Sequence, residues 1–392
     1  MDRMTNPYSP GAGTPPPELA GRSAILEDAR VALGRLIAGR PSQGVILTGL
    51  RGVGKTVLLN EIFELATDFG FTILRIEAHE GKSLSEALLP PLREALFVAS
   101  KIEGAKNAAT RALRVLRGFV GSLSVTIEGI SFGLGIEPEI GVADSGDLEA
   151  DLPRLLEIVG EAAKAAQKPI LILLDEVQYL TTQEFSALIM GLHRANQRQL
   201  PILMIAAGLP QTLSLAGNSK SYAERLFRYP EVGALTEDAA RIAITAPAQK
   251  LGISYETEAI EEILRVTKRY PYFLQQWGHD AWNMASGNLI KYSDVTNATS
   301  VALAELDQSF FKVRFERCTP NERRYLYALA TLGAGVHRSG EIATLLGNKV
   351  SDSSPVRNAL IRKGMIYAPA HGETAFTVPL FDQFMLRTMP DE

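Results

Sequence analysis

The run Gly49-Leu50-Arg51-Gly52-Val53-Gly54-Lys55-Thr56-Val57 brings a glycine-rich backbone, an ammonium and a hydroxyl together within nine residues. It fits G-x-x-x-x-G-K-[ST]. Val45-Ile46-Leu47 before it suits a buried strand, and Val57, Leu58, Leu59, Ile62 and Phe63 after it recur at helical spacing. Strand, glycine loop and helix in that order are the context a phosphate grip requires. Glycines let successive N–H groups curl toward a β-phosphate, and the helix that follows adds its positive amino end. Lys55 is spaced to reach the β/γ oxygens, and Thr56 to ligate Mg²⁺.

A second run, Pro169-Ile-Leu-Ile-Leu-Leu-Asp-Glu176, is continuously apolar and ends in two carboxylates. So short an apolar segment suits the centre of a parallel sheet. At its carboxyl end Asp175 is placed to hold Mg²⁺ through water, and Glu176 to orient or deprotonate an attacking water. With no Asn-Lys-x-Asp guanine motif, the pair of signals points to ATP rather than GTP. No other chemistry is legible. The histidines (His79, His193, His279, His337, His371) lack metal-ligand spacing, and no Ser-His-Asp pattern occurs. ATP therefore reads as a switch rather than a means to a separate product.

Composition sets limits. The single cysteine, Cys318, excludes a disulfide framework and a zinc site built from several cysteines. A net charge of −4 carries no global nucleic-acid signature. No signal peptide or span of ~20 apolar residues is visible, so a cytoplasmic protein without membrane contact is expected.

The elements that must position these groups follow in chain order. Residues 1–20, through Pro15-Pro16-Pro17, read as a flexible lead-in. Residues 21–235 read as an α/β P-loop core with a five-stranded parallel sheet, the fifth strand near Val232. Within it, residues 122–141 alternate like a β-hairpin whose acidic residues (Glu128, Glu137, Glu139) suit a protein partner better than DNA. Residues 236–305 read as an α-helical lid, purely helical, with its first helix stopped by Pro247. A long connecting helix spans 294–317. In residues 306–392, Thr319-Pro-Asn-Glu322 is a capping box with proline at the first helical position. Two further helices follow, the last over 355–363 with Ser354 as cap, and then a two-stranded wing. That is a C-terminal winged helix-turn-helix. From Leu306 onward eleven Lys and Arg stand against nine Asp and Glu, a slight basic tilt. The third helix would present Arg357, Asn358 and Ser353 to a major groove, with Arg362, Lys363 and His371 near phosphates. The same fold also serves for protein docking and oligomer contacts.

Together the P-loop, the LLDE run, the lid and the winged helix resemble AAA+ ATPases of the origin-recognition-complex and archaeal-ATPase branch, over nearly the whole chain after residue 20. The resemblance implies further roles. Leu19-Ala-Gly-Arg22 stands where the branch touches adenine, although Ser23 replaces the usual acid. Arg225 stands at the arginine finger, with Arg228 a competitor, which implies a homo-oligomer. Arg269 is the candidate for sensor 2, without the familiar G-x-x-R spacing. At sensor 1 the strand ends Ala206-Ala207-Gly208, with no Asn, Ser or Thr, which implies slow or partner-stimulated hydrolysis. Three readings remain open: a DNA-acting ATPase switch, a signalling ATPase whose winged helix docks a protein, and an ATP sensor with negligible turnover.

Overall fold

The computed structural model describes residues 1–11, 13–122 and 136–389. The alternating stretch expected as a hairpin falls mainly outside the described residues. The chain divides into two compact units. One gathers Ala24–Thr48 with Lys55–Glu231, the other Met1–Ser23, Gly49–Gly54 and Val232–Glu392.

The first unit is an α/β layer structure built from α1 (Ser23–Ile37), β1 (Gly44–Thr48), α2 (Lys55–Asp68), β2 (Thr72–Glu77), α3 (Leu84–Ala99), α4 (Lys106–Ser122), α5 (Leu148–Ala166), β3 (Ile170–Asp175), α6 (Thr182–Gln197), β4 (Ile202–Gly208), α7 (Thr212–Ser219), α8 (Ala223–Leu226) and β5 (Phe227–Arg228). The strands form one parallel sheet in the order β2-β3-β4-β1-β5. β1 and β4 are buried along their whole length and β3 as far as Leu174, as covered parallel sheets require. Pairing of Thr48 with Gly208 and of Leu174 with Ala206 brings the carboxyl ends of β1, β3 and β4 level. Helices start where side chains satisfy their first amides: Ser83 with Glu86 caps α3 and Thr181 with Glu184 caps α6. The fifth strand comes earlier than expected. After Arg228 the Thr48 amide continues onto the carbonyl of Pro230, 3.1 Å away, but proline has no N–H to extend the ladder.

The other unit carries α9 (Glu237–Gln249), β6 (Ser254–Tyr255), α10 (Thr257–Thr267), α11 (Pro271–Met284), β7 (Leu289–Ile290) and α12 (Tyr292–Glu305). A π-helical turn (Leu306–Phe311) leads to α13 (Lys312–Glu316) and α14 (Pro320–Thr331). Then come β8 (His337–Arg338), α15 (Ser339–Leu345), α16 (Val350–Arg362), β9 (Ile366–Tyr367), β10 (Glu373–Phe376) and α17 (Phe381–Thr388). Several expectations are corrected. The lid region is not purely helical, because β6 and β7 pair in parallel. Pro247 lies inside α9, near its end, rather than stopping it. The long connecting segment is helical from Tyr292 to Glu316 but passes through a π turn over Leu306–Phe311. α16 begins at Val350, five residues before Pro355, and Ser354 Oγ donates to the Val350 carbonyl at 2.8 Å instead of capping. The wing has three strands in the order β8-β10-β9. The order of elements from α14 to β10 is compatible with a winged helix.

The amino terminus is packed rather than flexible. Tyr8 is 2% exposed, its hydroxyl donates to the Ile244 carbonyl, and Tyr255 donates to it at 2.8 Å. Asn6 Nδ2 donates to the His279 carbonyl at 3.0 Å. Gly278 makes room, since a Cβ there would stand 2.7 Å from the Tyr8 ring. Sequence composition reads this segment as polar and proline-rich, but one buried aromatic is enough to dock it. Tyr8→Ala is expected to destabilise this unit by roughly 3–5 kcal/mol, the usual cost of deleting a buried aromatic, as an earlier midpoint in urea denaturation.

Candidate nucleotide-binding site

In the first unit, Lys55 opens α2 and is 8% exposed. Thr56 Oγ1 donates to Asp175 Oδ2 at 2.8 Å. The other Asp175 oxygen accepts from the Glu176 amide at 2.8 Å. Burial pushes the Asp175 carboxyl above its ordinary range, with the Thr56 hydrogen bond opposing it. A hydroxyl and a carboxylate this close form a hard-oxygen pair that suits Mg²⁺. Glu176 follows in left-handed backbone, φ 55° and ψ 41°. A non-glycine residue there costs about 1–3 kcal/mol, and such strain concentrates at functional sites. Glu176 Oε2 accepts from Gln178 Nε2, and Gln178 Oε1 accepts from the Leu209 amide at 2.9 Å. The sequence reading passed over Gln178, whose only signal was its position two residues beyond the carboxylate pair.

In the other unit, the glycine segment 49–54 is held by its own backbone. Gly52 and Gly54 have φ of 81° and 93°, which other residues rarely adopt. At Gly49 a Cβ would overlap the Val232 carbonyl. Tyr272 N donates to Gly52 O at 3.2 Å, and Arg51 N donates to Thr377 O at 3.3 Å. The Tyr270 hydroxyl donates to Arg51 O. The Arg51 guanidinium lies over Gly364, where a Cβ would sit 2.7 Å from Nη2. Beside it, Arg314 stacks on Phe310 at 3.9 Å from the ring centre, and Phe310 stacks on Tyr272. Burial, with the like charge of Arg51, lowers Arg314 to about 10.

The remaining sequence-derived candidates divide. Leu50 and Val53 lie in the loop, and Val53 and Val57 are buried. Arg22 donates to the carbonyls of Val53 at 3.2 Å and Gly233 at 2.6 Å, so it clasps the loop; burial lowers its pKa. Arg269 is exposed in left-handed backbone, with its carbonyl accepting from Leu235 N. Arg225 is exposed on the short helix α8, while Arg228 pairs with Asp28 at 2.7 Å. Asn358, Arg362 and His371 are exposed. Arg357 and Lys363 are not free to read DNA as expected. Arg357 donates to Thr374 Oγ1 at 2.8 Å and to the Glu373 carbonyl, tying α16 to the wing. Lys363 Nζ binds Glu322 Oε2 at 2.7 Å and the Arg317 carbonyl. Ser353 is buried. Helical spacing cannot reveal that the wing folds back onto the same face of α16.

Among the described residues, no helix is long and apolar enough to cross a membrane.

Comparisons with known proteins bear on the domain and the fold. Residues 18–205 match the AAA ATPase domain, and residues 308–385 match a domain of unknown function. No curated protein matches the chain in sequence. The Walker-type ATPase PABY2304 of Pyrococcus abyssi shares the fold, with a TM-score of 0.59 at 15% identity over 96% of this chain and 98% of its own. Cdc6p from Pyrobaculum aerophilum (TM-score 0.48, 13% identity, 99% and 97% covered) is more distant. So is the Aeropyrum pernix ORC1 protein in complex with DNA (TM-score 0.46, 14% identity, 95% and 94% covered). Within this chain, residues 18–205 thus match an AAA ATPase domain, and the fold is that of a Walker-type ATPase.

Arg357→Ala is expected to lower the stability of the α16–wing segment by about 1–3 kcal/mol, since it removes the guanidinium that donates to the wholly buried Thr374 and to the Glu373 carbonyl, leaving the Thr374 hydroxyl the longer 3.5 Å contact with Ser339. Hydrogen exchange of the wing amides would rise accordingly, and exchange at the parental rate would contradict this strut.

Proposed function

We propose that this protein is an ATP-driven switch that couples nucleotide state to its winged helix, and through it to double-stranded DNA. The observation that carries the reading is the direct bonding of the glycine segment to that region: Tyr272 N to Gly52 O, and Arg51 N to Thr377 O. A phosphate drawn to the loop amides would reset the backbone whose carbonyls and amides hold the lid and the wing. Movement at one end of those bonds is then felt at the other.

Lys55 would neutralise β- and γ-phosphate charge, with Thr56 and Asp175 holding Mg²⁺, which supplies electrophilic charge at the phosphates. Glu176 would take the proton of the attacking water, giving ADP and phosphate. The motif resemblance to the origin-recognition-complex branch and the exposed Asn358, Arg362 and His371 favour DNA. A second reading, a regulatory ATPase that docks a protein, draws support from the engagement of Arg357 and Lys363, which removes two of the four cationic or titratable side chains expected at the duplex.

Duplex binding measured against salt, with and without ATP, decides between them. DNA binding predicts a steep fall of affinity with salt, a response to ATP that Lys55→Ala removes, and a salt slope lowered by about 1 in Arg362→Ala. No binding to duplex at low salt would contradict the DNA reading and leave protein docking.

A further inference from the structure

The end of β4 offers no side chain to position a water, yet a polar group stands in that place. Gly208 is the last residue of β4 and is buried. A Cβ built on it would overlap Thr212 Oγ1 and come within 3.1 Å of Gln178 Oε1. Thr212 is wholly buried and its hydroxyl has no hydrogen-bond partner. The position is therefore closed to Asn, Ser or Thr at residue 208, because its volume already belongs to the Gln178 amide and the Thr212 hydroxyl.

The orientation of that amide follows from its partners. The Leu209 N–H is a donor, so the atom it meets at 2.9 Å is the carbonyl oxygen Oε1. That leaves the NH₂ for Glu176 Oε2. One end of Gln178 is thus anchored to the backbone just beyond β4, and the other holds the carboxylate at the end of β3. Glu176 itself sits in strained left-handed backbone, a conformation that survives only where neighbours over-determine it.

We infer that Gln178 is the positioning residue for ATP hydrolysis: it supplies, from the loop after β3, the polar contact that β4 lacks, and it holds the Glu176 carboxylate in place for the attacking water. The inference rests on the ATPase reading above and adds a residue to it. Without the amide, the carboxylate would lose the contact that ties it to the end of β4, and the base would meet its water in the right orientation less of the time.

The test uses the full chain, with steady-state ATP hydrolysis and the binding of a fluorescent ATP analogue measured side by side. Gln178→Ala is expected to lower kcat about ten- to a hundredfold, less than the roughly 10²–10⁴ that loss of a general base costs because the base itself remains, with KM and analogue affinity close to parental. Gln178→Glu keeps the size and the acceptor for Leu209 but cannot donate to Glu176, so it should lose kcat as Gln178→Ala does. The double variant Glu176→Gln, Gln178→Ala should be no slower than Glu176→Gln alone, because one residue acts through the other. Parental kcat in either single variant overturns the assignment. So does a fully additive double variant, or a kcat loss matched by lost analogue binding, since each marks a merely structural glutamine. A parent whose turnover Glu176→Gln does not reduce would instead contradict the ATPase reading itself, and this role with it.

Discussion

The backbone between Gly49 and Gly54 is the constraint on which the rest turns. Two residues there have positive φ and one has no room for a Cβ, so the chain follows a path that only glycine takes at low cost. That path turns carbonyls and amides outward, where buried polar backbone must find partners. The partners are specific: Arg22 on Val53 O, Tyr270 on Arg51 O, Tyr272 on Gly52 O, and Thr377 accepting from Arg51 N. A loop shaped to receive phosphate is in this way also a structural joint.

The chemistry at the end of β3 shows the same economy. Asp175 is shared between the Thr56 hydroxyl and the Glu176 amide, while Glu176 is shared between its strained backbone and the Gln178 amide. Each carboxylate is thus oriented by a neighbour two or fewer residues away, or by the first turn of α2. Preorganisation of this kind places the cost of ordering in folding rather than in the reaction. On the inference drawn for Gln178, the loop after β3 supplies the contact that β4, closed at Gly208, does not provide.

Much of this was legible in the sequence, and the reasons are physical. The P-loop and the LLDE run are local: glycine spacing, an apolar strand and a helix start carry their own signal, and the structure places them at level strand ends. The capping box at Thr319 and Glu322 was read correctly for the same reason. What was not legible depends on contacts distant in sequence. Nothing local to Tyr8 says that it will be buried beside Gly278, and nothing local to Arg357 says that Thr374 and Glu373 will take its guanidinium. Proline misled twice. Pro355 and Pro247 look like a helix start and stop, but Pro355 lies in the middle of α16 and Pro247 in the last turn of α9. The polar group beside Gly208 was invisible because it comes from another strand's loop.

The most direct test of the account is hydrogen–deuterium exchange over residues 364–378 with and without a slowly hydrolysed ATP analogue. The account predicts that nucleotide changes exchange there, and that Arg51→Ala, which alters the side chain lying over Gly364, diminishes the change while the analogue still binds. Identical exchange in the free and fully bound protein would contradict coupling between the phosphate loop and the segment from Gly364 to Val378.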